Sequence, residues 1–227
     1  MRNSRPAERP SGVGEGLLQA YTPHMNRVTI VDYGSGNLRS VQKACERLGA
    51  EATITSDANQ VAEASILVLP GVGAFGDAMR ELRGRGLVEP IQRHLAADRP
   101  FLGICMGLQL LFETGLEGGR YEGLAALPGD VVRFEIDPSL KVPHMGWNRV
   151  AWRDGGPVPE EAGSYYYFVH AYHARPADPA HICGTADYGG EFCAAVSRGR
   201  LLATQFHPEK SQQAGLRVIQ AFLRQHA

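Results

Sequence analysis

The stretch Phe101-Leu102-Gly103-Ile104-Cys105-Met106-Gly107-Leu108-Gln109-Leu110-Leu111-Phe112 constrains this chain more than any other. Phe101 to Ile104 is an apolar run of strand length, and the residues after Met106 have helical spacing. Cys105 therefore falls on the sharp turn between a buried strand and a helix, with a glycine two residues before it and another two after. That is the pattern of a nucleophile elbow with cysteine in place of serine. The glycines matter because the turn brings backbone against backbone, where a Cβ would clash. A sulfur at a helix N-terminus meets unpaired N–H groups and the positive end of the helix dipole, which stabilise a thiolate. The same N–H groups can receive an oxyanion. The plain alternative is a structural cysteine in an α/β core, since free cysteine is among the most buried residue types.

A second stretch, near the C-terminus, favours the catalytic alternative. Leu201-Leu202-Ala203-Thr204-Gln205-Phe206 has the composition of a strand, and His207-Pro208-Glu209-Lys210-Ser211 follows at once. A thiol needs a base to become a nucleophile near neutral pH, and the base needs a partner to fix its tautomer. His207 and Glu209 can supply both from one strand end. By itself, His-Pro-Glu would be an ordinary solvated loop. Sites in open α/β sheets form at the carboxyl ends of strands, however, so both pieces would meet on one edge. A Cys105–His207–Glu209 triad is the reading that joins them.

From Val28 the chain alternates strand and helix. Val28 to Asp32 reads as a strand, Tyr33 to Asn37 as a glycine turn and Leu38 to Leu48 as a helix closed by Gly49. Strands follow at Glu51 to Ile54 and Ile66 to Leu69, the latter leaving through Pro70-Gly71-Val72-Gly73, and one helix is expected over Ala78 to His94. After Val131 the pattern turns strand-rich: Val131 to Phe134, Asn148 to Trp152, Tyr165 to Tyr172, His181 to Tyr188 and Phe192 to Arg198. A last helix spans Ala214 to Gln225. The expected class is α/β: a flavodoxin-like open, mostly parallel sheet with helices on both faces and a strand-rich C-terminal half. Residues 27–227 read as one folded domain. Residues 1–26 stand apart, rich in arginine, proline and glycine and poor in apolar residues. They read as a disordered leader, or as sequence upstream of a true start at Met25.

Composition excludes several classes. A formal net charge of −1 suggests neither nucleic acid nor a membrane surface as partner. No apolar run approaches the roughly 18 residues of a membrane span. Cys45, Cys105, Cys183 and Cys193 form no C-x-x-C pair or disulfide framework, which points to a reducing cytoplasm. His144, His170, His173 and His181 lack the spacing of a metal site, so neither metal nor other cofactor is expected. Gly34-Ser35-Gly36-Asn37 sits where a phosphate loop would, but lacks both the third glycine and a Lys-Ser/Thr pair.

Gly103 to Gln109, taken with Gln205-Phe206-His207-Pro208-Glu209, resembles the triad-type (class I) glutamine amidotransferases. Within that family, three further stretches resemble the glutaminase subunits that serve imidazole glycerol phosphate synthases in histidine biosynthesis. They are Asp32-Tyr33-Gly34-Ser35-Gly36-Asn37, Pro143-His144-Met145-Gly146-Trp147-Asn148 and Tyr167-Phe168-Val169-His170-Ala171-Tyr172. The resemblance runs from about Val28 to the C-terminus.

It implies hydrolysis of L-glutamine to glutamate and ammonia through a cysteinyl thioester, with Cys105, His207 and Glu209 catalytic. It implies an oxyanion hole from the N–H groups of Val72 and Met106, and a glutamine pocket lined by Gly71 and Gly73. Gln109, one helical turn beyond Cys105, would share its face. Glu117 matches the position that holds the substrate's amino group in relatives, although Glu113 competes on spacing alone. Tyr167 and His170 would line the pocket further, His170 being equally readable as a core histidine. The implied partner is a (β/α)8-barrel cyclase subunit in a heterodimer, met by Asn37, Met145, Trp147 and Lys210. Alternatives are a glutaminase for another pathway such as anthranilate synthesis, a cysteine hydrolase of another kind, or a binding module without turnover.

Overall fold

A computed structural model of the chain describes residues 26–154, 156–158 and 164–227. The leader expected over 1–26 lies, but for Asn26, outside the described residues, as does Met25.

The N-terminal half runs β1 (Arg27–Val31), α1 (Leu38–Arg47), β2 (Glu51–Thr55), α2 (Ala58–Glu63), β3 (Ile66–Gly71), α3 (Phe75–Gly84), α4 (Val88–Ala96), β4 (Phe101–Cys105) and the single turn α5 (Met106–Gln109). Short strands follow as β5 (Phe112–Gly115), β6 (Tyr121–Glu122) and β7 (Leu127–Arg133), then β8 (His144–Arg149), β9 (Ala151–Trp152), β10 (Tyr165–His170) and β11 (Tyr172–Pro176). The chain closes with β12 (Ile182–Asp187), β13 (Glu191–Arg198), β14 (Leu201–Thr204) and α6 (Gln212–Arg224).

The main sheet has eight strands in the order β2-β1-β3-β4-β14-β13-β12-β9. From β2 to β14 neighbouring strands are parallel, and from β14 to β9 they are antiparallel. This is the expected open α/β sheet, its strand-rich second half added on one side. Strands β3, β4 and β14 are buried along their whole length, as parallel strands covered on both faces must be. On one face Val41, Ala44 and Cys45 of α1 and Val218, Ile219 and Phe222 of α6 pack against Ile30, Val68 and Leu102. On the other, Val61 of α2, Met79 and Leu82 of α3 and Ile91 of α4 pack against Leu67, Leu69 and Phe101. Each large aliphatic or aromatic side chain so buried contributes about 1.5–3 kcal/mol. Two smaller sheets, β10-β8 and β11-β7-β5-β6, complete the structure.

Several details depart from expectation. The strand expected over Asn148 to Trp152 is split at Val150 between β8 and β9, which lie in different sheets, and α2 was not foreseen. The helix expected over Ala78 to His94 is two, because Gly86 at φ +66° ends α3. Pro90, which lacks an N–H, is then acceptable in the first turn of α4, where that donor would be unpaired anyway. The helix expected beyond Met106 lasts one turn. The carbonyls of Leu110 and Leu111 accept from Leu124, Ala126 and Leu127 rather than from a further helical turn, and the apolar run continues as β5. The strand expected over Tyr165 to Tyr172 breaks at Ala171, so that β10 pairs with β8 and β11 with β7.

Candidate functional site

Cys105 is the last residue of β4 and stands at φ +54°, ψ −103°, a conformation rarely held by a residue with a side chain. The two flanking glycines make it attainable. A Cβ on Gly107 would lie 1.8 Å from the Leu69 carbonyl oxygen, and one on Gly103 would meet the Gly107 oxygen at 2.8 Å. The strained turn presents the sulfur at the carboxyl edge of the sheet, beside the first turn of α5.

The neighbouring parallel strands end at the same level. Gly71 of β3 is the register partner of Cys105, and Thr204 of β14 that of Ile104. Three residues beyond Thr204, His207 directs Nδ1 at Glu209 Oε1 across 2.9 Å, both side chains being almost wholly buried. His207 Nε2 makes no conventional hydrogen bond among the described residues; Cys105 lies close enough to act on it electrostatically. Burial alone would lower the basicity of His207. Cys105 and Glu209 together outweigh it and raise the imidazole well above its usual range. The other cysteines behave as structural groups. Burial pushes the thiols of Cys45 and Cys193 up to about 12 and that of Cys183 up to about 11.

Cys105 opens into a cavity of about 330 Å³ whose walls include Val72, Gly73, Met106, Gln109, Glu117, Pro143, His170 and Tyr172. Glu117 uses one carboxylate oxygen to accept from Phe75 N at 2.8 Å, at the start of α3. Glu113, the competing acid, lies exposed on β5, where it accepts from Gly129 N. Val72 is part-exposed beside the cavity and its carbonyl accepts from Ser35 Oγ at 2.7 Å. His170 is both a lining residue and a satisfied core histidine. Its Nδ1 donates to the Tyr172 carbonyl at 2.8 Å, leaving Nε2 to accept from His144 Nδ1 at 3.2 Å. Burial lowers the two imidazoles to about 3 and about 4 respectively.

Two further residues were expected to line the pocket. Gly71 pairs in register with Cys105 and precedes the lining residue Val72, with Tyr33 and Met106 packed where a Cβ would project. Tyr167 alternates away from His170 on β10 and meets Trp147 edge-on at 6.0 Å, with Lys210 Nζ 5.8 Å from its ring centre. Strand alternation accounts for this, since Tyr167 and His170 are three apart and so face opposite sides. Trp147 (47% exposed) and Met145 (66%) continue this apolar surface along β8. Asn37 begins α1 without a side-chain cap.

Sequence reasoning missed Gln205 and Tyr33. Gln205 is wholly buried and donates to Cys105 Sγ. The Tyr33 hydroxyl is buried against Gly71 without a hydrogen-bond partner among the described residues, its ionisation opposed first by burial and then by Cys105. Both stand inside quoted motifs, but nothing in a motif says which way its side chains turn. Among the described residues no cluster of His, Cys, Asp or Glu could hold a metal ion, and no helix is long and apolar enough to cross a membrane.

The Glutamine amidotransferase class-I family profile matches residues 29–225, and the chain belongs to that family. Two solved structures share the fold. A glutamine amidotransferase has a TM-score of 0.68 at 20% identity over 87% of this chain and 98% of that one. PurLQS from Thermotoga maritima has a TM-score of 0.66 at 20% identity over 88% and 99%. Sequence similarity is narrower. Imidazole glycerol phosphate synthase subunit HisH of Rhodopirellula baltica is 62% identical over 196 residues, covering 86% of this chain and 96% of the relative. The HisH subunits of Syntrophotalea carbinolica and Geobacter sulfurreducens are 53% and 50% identical, with 86% and 87% of this chain and 98% of each relative covered. Within the class-I family the chain is thus one of the HisH glutaminase subunits of imidazole glycerol phosphate synthase, which act in histidine biosynthesis. That sets aside the other-pathway and cysteine-hydrolase readings.

Proposed function

We propose that Cys105, His207 and Glu209 hydrolyse L-glutamine as a triad. The Cys105 sulfur attacks the γ-carboxamide carbon, while the proton that the pair shares rests on His207. His207 passes that proton to the departing ammonia as the C–N bond breaks. The resulting glutamyl thioester is then opened by a water that His207 deprotonates, releasing glutamate and restoring the sulfur. Glu209 fixes the imidazole tautomer through Nδ1 and supports its charge. The N–H groups of Val72 and Met106 hold the tetrahedral oxyanion. The acid–base step is worth roughly 10²–10⁴-fold and one oxyanion donor about 10²–10³-fold.

The observation that carries this reading is the convergence of Cys105 and the buried His207–Glu209 pair on adjacent parallel strand ends, with Cys105 opening into the cavity. Glutamine fits that cavity with its α-ammonium toward the free oxygen of Glu117 and its side chain toward Cys105. Gly71, Gly73, Gln109 and His170 complete the pocket, while Tyr167 stands on the other face of β10 beside Trp147.

The ammonia goes to a (β/α)8-barrel cyclase subunit, bound as a heterodimer, that makes imidazole glycerol phosphate and aminoimidazole carboxamide ribotide. Asn37, Met145, Trp147 and Lys210 meet that subunit. The exposed apolar stripe of Met145 and Trp147 supports this, since interface anchors favour tryptophan. The folded domain is residues 27–227, and it works in the cytoplasm, where its four free cysteines stay reduced. Co-purification with candidate synthases, followed by an ammonia assay with each, tests the assignment. Glutamine hydrolysis should rise with the cyclase subunit alone among them. Full activity in the isolated chain without detectable cyclase binding would overturn it.

A further inference from the structure

We infer that Gln205 is a positioning residue for the nucleophile, its side-chain amide held by Gln109 so that an N–H group always faces the Cys105 sulfur. The inference rests on Cys105 being that nucleophile.

The polarity of this chain of groups is set at one end. The Tyr172 backbone carbonyl can only accept, and it lies 2.9 Å from the side-chain nitrogen of Gln109. That fixes which way the Gln109 amide is turned. Its second N–H then points at Gln205, 3.1 Å away, and must find an oxygen there. Gln205 therefore presents Oε1 to Gln109 and Nε2 to Cys105, with Nε2 to Sγ at 3.7 Å. No other arrangement satisfies all three groups.

The chain is also rigid and dry. Gln109 and Gln205 are 3% and 0% exposed, and the Gln205 backbone N–H is tied to the Ala194 carbonyl at 2.8 Å. An N–H donor in such surroundings favours a sulfur carrying negative charge and offers nothing to an S–H proton. It acts twice in the cycle, holding the sulfur before attack and receiving it again when water opens the thioester. Gln109 itself lines the cavity, so the residue that orients Gln205 also borders the substrate site.

The test is the pH dependence of Cys105 alkylation by iodoacetamide, read by peptide mass mapping on the full chain, beside steady-state glutamine hydrolysis with the cyclase subunit. Gln205→Met should move the alkylation midpoint up by about one pH unit and lower kcat about ten-fold, with KM for glutamine nearly unchanged. Gln205→Glu, which sets a carboxylate against the sulfur, should move the midpoint further. Folded variants are recognised by Cys45, Cys183 and Cys193 staying unmodified. If both substitutions open the core, Gln109→Met must shift the midpoint the same way by a smaller amount. An alkylation profile and kcat matching the parent's, in whichever of these variants fold, overturns the role of Gln205 while leaving Cys105 as nucleophile. Turnover that survives complete Cys105 alkylation overturns both.

Discussion

His207 Nδ1 stands 2.9 Å from Glu209 Oε1, with one residue, Pro208, between them and both side chains almost wholly buried. The two should therefore act unequally. His207→Ala removes the proton carrier and should lower kcat by roughly 10²–10⁴-fold. Glu209→Gln leaves the imidazole in place and removes its orientation and charge support, so it should keep more activity. Glutamine hydrolysis by both variants at the parent's rate would refute the triad.

The elbow should not tolerate a methyl group. Gly107→Ala drives a Cβ into the Leu69 carbonyl, which is backbone of a central strand and cannot swing aside. The expected loss is ~1–3 kcal/mol or more, seen as a lower urea midpoint. Gly103→Ala meets Ala203 Cβ at 2.9 Å and the Gly107 oxygen, and should also destabilise. Unchanged midpoints in both would mean that the turn is looser than described.

Much of this was legible in sequence. The apolar runs of β3, β4 and β14 and the glycines around Cys105 specify a parallel core and its strained turn, because burial on both faces and backbone contact leave few other residues acceptable. The early end of α5 was not legible, because it depends on which distant donors Leu110 and Leu111 pair with, here residues 124–127. The break at Gly86 is local, a glycine at positive φ with its hydrogen bonds made inside α3, and an apolar period that runs on through it masks the stop. The opposite sides taken by Tyr167 and His170 were legible, since a strand over Tyr165 to Tyr172 turns residues three apart to opposite faces. Gln205 was invisible for a different reason: its role comes from contacts with Cys105, one hundred residues earlier in the chain, and with Gln109, ninety-six residues earlier.

Stability should fall on both sides of neutrality, for different reasons. Burial holds His144 at about 4 and His170 at about 3, so below the unfolded value of about 6.5 the unfolded chain binds protons that the folded one refuses. Their contribution is present above that value and lost as pH falls toward 4 and 3. His207 has the opposite sign: raised to about 10, its contribution is full below about 6.5 and lost as pH climbs toward 10. Thermal melts across this range should show a shallower acid limb for His144→Phe and a shallower alkaline limb for His207→Gln. Limbs parallel to the parent's in both would contradict these assignments.

Trp147 should matter to association rather than to chemistry. Its ring is half exposed and rests on Tyr167, which Lys210 covers in turn. Trp147→Ala should weaken cyclase binding by about 2 kcal/mol or more and release ammonia to solvent during synthesis, while Cys105 remains alkylable. Calorimetric titration with the purified cyclase subunit checks this. Binding as tight as the parent's would remove Trp147 from the interface.

The nucleophile itself can be caught directly. The chain, turning over glutamine with its cyclase subunit, is quenched in acid and mapped by peptide mass spectrometry. A glutamyl adduct should appear on the Cys105 peptide and on no other cysteine, and Cys105→Ala should form none while losing hydrolysis and keeping its melting temperature. An adduct on Cys45, Cys183 or Cys193, or ordinary turnover by Cys105→Ala, would contradict the account.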